Sequence, residues 1–310
     1  NKSISILNKY SQVNRNEFSR NFKFYNGDIR DENLLTDIFN ESKKDNFPII
    51  AVIHFAGLKS VLDSTNNPLK YWSNNITGTI NLLNVMEKFK CNNLIFSSSA
   101  TVYGHVDNAP ISEDSNIDPI NPYGKTKAYI ESLLFDLNKS KNRFWKIRIL
   151  RYFNPVGSHS SGLLGEDYKG ENDNLFPILC DVAYGNKNIL DIYGNDWPTK
   201  DGTCIRDYIH IMDLISGHLC CLDSIFNCED KISVFNLGTG RGTSIIELIN
   251  VFEKVNDVKI NHRFVERRNG DAPVLIANCD LIFEKLNWKS EKTIEDMCRD
   301  CWIWRIKNDN

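Results

Sequence analysis

The chain contains 310 residues, with 37 basic and 40 acidic side chains and a formal net charge of −3. This near-neutral balance argues against nucleic acid or a membrane surface as the main partner, because both favour basic patches. Hydrophobic residues make up 41% of the chain, and no apolar run reaches the length of about 18 residues that a transmembrane helix needs. The composition therefore indicates a globular protein with one large domain or two smaller ones.

Predicted strands and helices alternate along the first half of the chain. A short strand at 22–26 precedes a helix at 31–44, whose apolar positions share one face. The continuous apolar run at 49–55 predicts a strand that is buried on both faces. Four further elements follow, namely a helix from Pro68 to about Phe89, a strand at 94–98, a helix at 123–138 and a strand at 146–153. This alternation predicts a doubly wound parallel sheet with helices on both faces.

Beyond residue 154 the predicted elements become shorter. A helix at 213–226 and a strand at 233–237 are expected to return to the parallel sheet. The other predicted elements are helices at 174–184, 244–255 and 294–306, and strands at 190–193 and 259–265. They form a smaller α/β lobe that is partly interwoven with the larger domain. We place the larger domain at 1–153, with 212–242 returning to it, and the smaller lobe at 154–211 and 243–310.

The nine cysteines, an odd number, are scattered without the spacing of a disulfide framework. Their usage predicts a reduced, cytoplasmic protein. Cys298 and Cys301 have the Cys-x-x-Cys spacing that occurs in redox and zinc sites. They lie inside a predicted helix, away from any βαβ crossover, and no further ligands are close in sequence. We therefore predict no metal site and two half-buried helix cysteines.

The strongest candidate for chemistry is the segment Tyr123-Gly-Lys-Thr-Lys127, at the start of a predicted helix. The i, i+4 spacing places the phenol and the ammonium on one helix face. A nearby ammonium is expected to lower the pKa of the tyrosine, so that its phenolate can act as a general base. The pattern alone is weak, because about one Tyr-x-x-x-Lys is expected by chance in such a chain.

A hydroxyl-rich segment upstream of this helix strengthens the interpretation. Ser97, Ser99 and Thr101 lie at the carboxyl end of a predicted parallel strand, at the edge where doubly wound sheets bind ligands. A serine there can hydrogen-bond a reacting sugar hydroxyl and share its proton with Tyr123. The alternative is that the serines only form a turn.

Other small and polar residues also follow predicted strands. Ala56 and Gly57 would permit the close approach of a flat ligand, and Lys59 adds a positive charge, although a glycine there can simply form a turn. Asp28 could accept a hydrogen bond from an adenine amino group, or it could cap a helix or form a turn.

Later in the chain, Asn154 follows a strand and Asn174 opens a helix. Arg206 and the pair Arg267–Arg268 could converge on a diphosphate, because guanidinium groups bind phosphate oxygens bidentately. Each arginine alone is more typical of a surface or ion-pair residue. The segment Gly238-Thr-Gly240-Arg-Gly242 lacks the Gly-x-Gly-x-x-Gly spacing of a dinucleotide fingerprint, and we predict a tight turn there.

Together these residues resemble the UDP-glucose 4-epimerase family of the extended short-chain dehydrogenase/reductase superfamily. The matching segments follow the family's order through nearly the whole chain, which makes the resemblance specific. They are Gly27–Arg30, His54–Lys59, Asn74–Asn75, Phe96–Gly104, Pro122–Lys127, Leu150–Gly157, Asn174–Leu175, Ile192–Asp196, Asp201–Thr203, Arg206–His210, Asn236–Gly238 and Arg267–Asp271. The resemblance implies a Rossmann-like NAD domain and a smaller lobe that binds the UDP-sugar.

The resemblance also implies a tightly bound NAD that is recycled in each turnover, with UDP-glucose and UDP-galactose as substrates. Tyr123 would take the proton from the sugar 4-hydroxyl, assisted by Ser99 and Thr101, and Lys127 would bond the nicotinamide ribose. Hydride transfer from C4 would give a 4-keto sugar that turns over in the pocket. Family contacts with the cofactor match Asp28, Ile29, Phe55, Ala56, Gly57, Lys59, Asn74, Ser97, Tyr123, Lys127 and Tyr152. Family contacts with the UDP-sugar match Ser99, Phe153, Asn154, Asn174, Leu175, Tyr193, Arg206, Arg268, Asp271 and Leu275.

Two departures from the family pattern leave alternatives open. Leu275 stands where side-chain size in the family helps decide whether N-acetylated UDP-sugars fit, so an epimerase of N-acetylated or pentose UDP-sugars is one alternative. The family has a strand, a glycine-rich turn and a helix ahead of the segment that matches Asn1. We therefore expect an N-terminally truncated NAD domain whose 310 residues alone do not retain NAD. A catalytically silent protein that binds sugar nucleotides is a further alternative. The family also implies a homodimer formed through two long helices, here about 69–89 and 123–139.

Overall fold

The computed structural model describes residues 22–106, 109–140, 145–167, 174–268 and 271–308. Its strands are β1 (Val52–His54), β2 (Asn93–Ser99), β3 (Lys146–Tyr152), β4 (Asn154–Val156), β5 (Leu190–Tyr193), β6 (Ile205–Arg206), β7 (Tyr208–His210), β8 (Ile232–Leu237), β9 (Thr243–Ser244), β10 (His262–Val265) and β11 (Val274–Leu275). Its α-helices are α1 (Glu32–Lys44), α2 (Val61–Asn66), α3 (Pro68–Tyr71), α4 (Gly78–Lys88), α5 (Pro122–Lys139), α6 (Leu175–Tyr184), α7 (Ile211–Asn227), α8 (Ile245–Asn256), α9 (Asp280–Leu286) and α10 (Ile294–Asn308). A π-helical segment, Trp72–Thr77, joins α3 to α4, so the predicted long helix is one continuous helical stretch.

The main sheet confirms the predicted parallel architecture. Its strand order is β1-β2-β3-β8, and every pairing in it is parallel. Successive residues of β2 point to opposite faces. Phe96 joins an apolar core with α1, α4 and α5, whereas Ile95 joins another with α7 and α9. Helices therefore cover both faces of the sheet, as the alternation of elements along the sequence predicts.

The first described segments depart from the sequence prediction. Residues 22–26 form no strand, and the strand expected at 49–55 is limited to β1. The expectation that this strand is buried on both faces is wrong, because Ile50 and Phe55 are 62% and 57% exposed. Among the described residues β1 pairs with β2 alone, so no strand on its other side covers these side chains.

Three small sheets of the described residues lie outside the main one. β5 pairs with β10, β4 pairs with β7, and β6 lies between β9 and β11. Helices α6, α8 and α10, which the sequence predicts, enclose a further apolar core that contains Leu179, Phe252 and Met297. Helices α2 and α9 and the short strands β4, β6, β7, β9 and β11 have no counterpart in the prediction, since such short elements give no periodic pattern.

The carboxyl ends of β2 and β3 determine where the candidate residues lie. The parallel ladder between these strands places Ser97 beside Leu150 and Ser99 beside Tyr152. After β3 the chain passes through Phe153 into β4, and so leaves the main sheet at this edge. In the part of the chain that the structure describes, no helix has both the length and the apolar character that crossing a membrane requires.

Candidate active site

Tyr123 lies in the first turn of α5, next to the carboxyl end of β2. The helix begins after Asn121, whose side chain accepts a hydrogen bond from the Gly124 amide at 2.8 Å. The Tyr123 side chain is half-buried, and its phenol lies close enough to the Ser99 hydroxyl for Ser99 to lower its pKa. Ser99 Oγ also accepts from the Thr101 hydroxyl at 3.0 Å. The hydroxyl groups of Ser99 on β2 and Thr101 in the turn after it therefore lie beside the Tyr123 phenol on α5.

Lys127 lies one helical turn after Tyr123 and is buried. Its Nζ donates to the Ser97 carbonyl oxygen at 2.7 Å and lies 5.9 Å from the centre of the Tyr123 ring. Burial lowers the pKa of Lys127 to about 8, and the Glu131 carboxylate opposes this shift. Burial also raises the pKa of Tyr123, and the hydrogen bond from Ser99 opposes that shift. The expected lowering of the Tyr123 pKa by Lys127 is therefore wrong for these side chains by themselves.

Asn75 holds the turn that follows β1. Its Oδ1 accepts from the Leu58 amide at 2.8 Å, and its Nδ2 donates to the Leu58 carbonyl and to Thr126 Oγ1 at 3.1 and 3.0 Å. A Cβ on Gly57 would stand 3.2 Å from Asn75 Oδ1, closer than an ordinary van der Waals contact. A larger residue at position 57 would therefore crowd Asn75, so this position favours glycine for its small size as well as for the turn. Asn74, the residue expected at this site, is less buried than Asn75.

Candidate cofactor residues from β1 and β3 meet around a histidine that the sequence did not single out. Phe55, Ala56 and Gly57 form an exposed surface directly after β1. The Tyr152 hydroxyl, at the end of β3, lies 2.5 Å from His218 Nε2, and the Phe55 and His218 ring centres are 4.9 Å apart. Burial raises the pKa of Tyr152, which keeps its hydroxyl protonated. The sequence signal for His218 is a polar residue among the apolar positions of α7.

A buried ion pair lies next to the hydroxyl-rich end of β2 and links it to α5. Arg151 Nη2 on β3 lies 2.7 Å from Glu131 Oε2 on α5, and both side chains are buried. Glu131 also accepts from the Ser98 hydroxyl, and Arg151 donates to the Tyr103 hydroxyl at 2.9 Å. Tyr103 in turn donates to Asn236 Oδ1 on β8 at 2.6 Å. This network ties α5 to three strands of the main sheet, and so fixes the helix that carries Tyr123.

Five of the predicted substrate residues come together on and beside the small sheet of β6 and β11. Arg206 pairs with Leu275 in the strand register. The Asp271 carboxylate accepts from Arg268 Nε at 3.2 Å and lies 3.8 Å from Arg206 Nη2. The Arg268 guanidinium lies over the Tyr193 ring, 4.4 Å from its centre. Two arginines and one carboxylate therefore share one surface.

Arg267 does not join this group. Its Nε lies 2.7 Å from Asp196 Oδ1, and its guanidinium lies 4.0 Å from the centre of the Trp197 ring. The predicted basic pair therefore contributes one arginine, Arg268, to the candidate diphosphate surface.

Lys59 and Asn174 are joined by a carboxylate that the sequence did not indicate. Glu166 Oε1 accepts from Lys59 Nζ at 2.8 Å and from Asn174 Nδ2 at 3.4 Å. A predicted cofactor residue and a predicted substrate residue thus share one partner. Phe153 is buried and Leu175 is half-buried, so packing holds both in place. Asn154 opens β4, and its amide donates to the carbonyl oxygen of Asp207 at 3.1 Å.

Asp28 and Ile29 lie in the turn before α1. The Asp28 carboxylate accepts from Arg30 Nη2 and Nε at 2.6 and 2.9 Å, which lowers its pKa to about 2. Helix α1 is capped by Asp31, so a capping role for Asp28 is wrong and its turn role is correct. Ile29 packs against the apolar core of the main sheet.

The buried carboxylate of Asp207 accepts hydrogen bonds from backbone amides of the glycine-rich segment at 238–242. Asp207 accepts from the amides of Thr239, Gly240 and Ala277 at 2.8, 2.9 and 3.1 Å, and from the Thr239 hydroxyl at 2.7 Å. Amides that are already occupied do not offer a phosphate cradle. The chain bends at Gly238 and Gly240, and Gly240 has a positive φ of 71°.

The cysteines are free thiols. Cys298 and Cys301 are both buried in α10, rather than half-buried as predicted, because this helix packs against α6 and α8. Cys301 Sγ faces Cys180 Sγ at 3.4 Å. Over the described ranges, no group of three or more His, Cys, Asp or Glu side chains is placed to hold a metal ion.

The chain is similar over nearly its whole length to proteins with assigned activities. A family model described as GDP-mannose 4,6 dehydratase matches residues 1–301. UDP-glucose 4-epimerase 2 of Arabidopsis thaliana is 46% identical over 306 residues, which cover 99% of this chain and 85% of that protein. A bifunctional UDP-glucose 4-epimerase and UDP-xylose 4-epimerase of Pisum sativum is 44% identical over 309 residues, or 99% of this chain and 87% of that protein. The crystal structure of UDP-glucose 4-epimerase from Bifidobacterium longum, in complex with NAD⁺ and UDP, matches with a TM-score of 0.87 and 39% identity, covering 99% of this chain and 94% of that one.

Proposed function

The chain belongs to the UDP-glucose 4-epimerase family, and we propose that it interconverts UDP-glucose and UDP-galactose through a 4-keto sugar with tightly bound NAD. It is accordingly an isomerase. The observation that carries the proposal is the hydrogen-bonded pair of Ser99 and Thr101 hydroxyls beside Tyr123, with the buried Lys127 5.9 Å from the centre of the Tyr123 ring. This arrangement offers a general base and a hydroxyl partner at the edge where doubly wound sheets bind ligands.

The residues after β1 fit a dinucleotide. Ala56 and Gly57 are exposed and present little bulk, and a side chain at Gly57 would crowd Asn75. Lys127 Nζ would lie 3.8 Å from a Cβ on Gly57, and Lys59 follows two residues later in the chain. An open surface of small residues beside two lysines suits flat rings that are joined by phosphates. Bound NAD⁺ supplies an acceptor for the hydride from C4 of the sugar and the donor that returns it.

Cofactor contacts follow the family's pattern. We assign them to Asp28, Ile29, Phe55, Ala56, Gly57, Lys59, Asn74, Ser97, Tyr123, Lys127 and Tyr152.

Tyr123 takes the proton from the sugar 4-hydroxyl in this proposal. Ser99 Oγ accepts from Thr101, so the proton of the Ser99 hydroxyl is free to be donated to Tyr123 or to the sugar oxygen. Lys127 is positive below its pKa of about 8 and lies in buried surroundings, where its charge favours the developing phenolate. Tyr123 returns the proton to the 4-oxygen after the sugar has turned.

Arg206 and Arg268 bind the diphosphate of the sugar nucleotide, since two guanidinium groups already converge on one carboxylate, that of Asp271. Leu275 lies beside Arg206, where its size limits the group that the sugar carries. The other substrate contacts that we assign are Ser99, Phe153, Asn154, Asn174, Leu175 and Tyr193.

The organisation of the protein follows from the same family pattern. We assign NAD binding to the domain at 1–153 and 212–242, and UDP-sugar binding to the lobe at 154–211 and 243–310. Leu69 and Tyr129 are exposed on the helical stretches at 69–89 and 123–139, which supports a homodimer formed through them. The free cysteines support a cytoplasmic location.

Product analysis tests the activity directly. Protein expressed from its complete coding sequence is incubated with UDP-galactose, and the products are separated and identified. We expect UDP-glucose to form without added oxidant and without accumulation of reduced cofactor. Unchanged UDP-galactose, with intact sugar-nucleotide binding, would contradict the proposal and support a silent binding protein.

Pentose epimerisation is a second candidate activity, because the similar protein of Pisum sativum is named for UDP-xylose as well. A parallel incubation with UDP-xylose tests it. An incubation with UDP-N-acetylgalactosamine shows whether Leu275 leaves room for an N-acetyl group.

A further inference from the structure

His218 on α7 lies between two residues that we assign to the cofactor. Its ring centre is 4.9 Å from that of Phe55, after β1, and 5.3 Å from that of Tyr152, at the end of β3. Its Nε2 lies 2.5 Å from the Tyr152 hydroxyl oxygen. The side chain is 3% exposed, so it acts on the cleft through these two neighbours.

The hydrogen-bond partners of His218 define which ring nitrogen carries the proton. Nδ1 lies 2.7 Å from the Leu214 carbonyl oxygen, which can only accept, so Nδ1 is the donor. Burial lowers the pKa of His218, so the ring is neutral at physiological pH and Nε2 carries a lone pair. The Tyr152 hydroxyl is therefore the donor to Nε2.

This direction of donation determines what Tyr152 presents to the cleft. Its proton is committed to His218, so its oxygen is left as an acceptor for a donor in the cleft. We infer that His218 is a positioning residue, which holds the Tyr152 phenol in place as a hydrogen-bond acceptor beside Tyr123. The inference rests on the proposed function, which assigns Tyr152 to the cofactor.

A histidine that only fills space between α7 and the sheet would behave differently. Phenylalanine would replace it with little consequence for the cleft, because the aromatic contacts with Phe55 and Tyr152 would remain. A positioning residue instead needs the acceptor at Nε2, and its effect depends on the hydroxyl of Tyr152.

A double-mutant cycle separates these roles in protein expressed from its complete coding sequence. His218→Phe removes the acceptor, Tyr152→Phe removes the donor, and His218→Gln retains an acceptor. We expect His218→Phe to weaken NAD⁺ binding in calorimetry about fivefold to tenfold, and to lower kcat with the KM for UDP-galactose unchanged within about twofold. The same substitution should add little in the Tyr152→Phe background, and His218→Gln should restore part of the affinity.

Ile225→Val is the matched control, since Ile225 is a fully buried residue of the same helix, two turns after His218. It should lower stability without changing NAD⁺ affinity. Equal effects of His218→Phe in the two Tyr152 backgrounds, or an equal effect of the control, would overturn the inference. If the His218 and Tyr152 substitutions are coupled in NAD⁺ affinity but the wild-type protein does not epimerise UDP-galactose, the role of His218 is supported and the proposed function is contradicted. Absence of NAD⁺ binding by the wild-type protein would contradict both.

Discussion

Two candidate binding regions of this chain are built in opposite ways. Near Tyr123 the supporting polar groups find their partners inside the chain, and Lys127 and Glu131 are 4% and 3% exposed. On the surface near Arg268 the charges are more exposed, since the Arg268 and Asp271 side chains are 51% and 22% exposed. Removing one partner of a buried polar group is costly, because water cannot replace it, whereas an exposed pair contributes little. The first region is therefore held in one arrangement by the fold, and the second can reorganise around a ligand.

The largest effect is expected at the reacting group itself. Tyr123→Phe removes the phenol that takes the proton, so epimerisation should fall by about 10²-fold to 10⁴-fold. UDP-glucose affinity should change by less than about twofold, since the arginine surface is untouched. Turnover is measured by product separation and affinity by calorimetry. Near-wild-type turnover would show that the base is assigned wrongly, and a large loss of affinity would show that the two regions do not act separately.

Breaking the buried ion pair should cost folding stability. Glu131→Gln leaves the Arg151 charge buried without its counter-charge, so the free energy of unfolding should fall by about 3–5 kcal/mol in urea titrations. Asp191→Asn is the matched control, because its partner Arg263 is 60% exposed. The control should change stability by less than about 1 kcal/mol. Equal losses in the two variants would remove the contrast between buried and exposed charge.

The pH dependence of turnover follows from the two shifted groups near Ser99. The reactive state has Tyr123 as phenolate and Lys127 as ammonium. Burial raises the pKa of Tyr123 and lowers that of Lys127 to about 8, so this state holds one proton fewer than the fully protonated pair. Its population rises with pH and levels off once that proton is lost. We therefore expect kcat/KM to rise with pH and to level off at or below about pH 8, because the positive charge of oxidised cofactor further favours the phenolate.

Lys127→Met tests this assignment. Without the ammonium the rising limb should move towards the raised pKa of Tyr123, and the rate at neutral pH should fall. A limb that stays at the same pH in Lys127→Met would show that another group is titrating.

The sequence predicts most strands and helices of the main sheet well, because the apolar pattern that marks each element can be read from consecutive residues. The same method fails at 49–55, where the exposure of Ile50 and Phe55 depends on which strands flank β1. Burial of a strand is a property of its partners, and those lie elsewhere in the sequence. For the same reason the two-residue strands β6 and β11, which build the arginine surface, give no signal of their own.

The residues of the candidate site also separate into those that the sequence predicts and those that depend on contacts between distant segments. Tyr123, Lys127 and Ser99 can be found because their pattern is local. Glu131 follows Lys127 by four residues, but nothing in the sequence indicates that it faces Arg151 across the sheet. The direction of the Tyr123 pKa is predicted wrongly because spacing shows the nearby ammonium and does not show the burial.

The smallest effects are expected among the exposed arginines, where two of them make a matched pair. Arg268 and Arg263 are 51% and 60% exposed, and each is paired with a carboxylate, at 3.2 and 2.6 Å. Replacing either should change stability by less than about 1 kcal/mol. They differ in their surroundings, because the carboxylate partner of Arg268 also lies 3.8 Å from Arg206.

This difference predicts a selective effect on substrate binding. Arg268→Gln should raise the KM for UDP-galactose about tenfold, because one of two guanidinium groups on the diphosphate is lost, and should leave kcat within about twofold. Arg263→Gln should change neither constant. Equal increases in KM would mean that the diphosphate is attracted by general positive charge rather than bound at a defined surface. A fall in kcat with Arg268→Gln would mean that the arginine surface also aligns the sugar with Tyr123, and the two regions would then form one preorganised site.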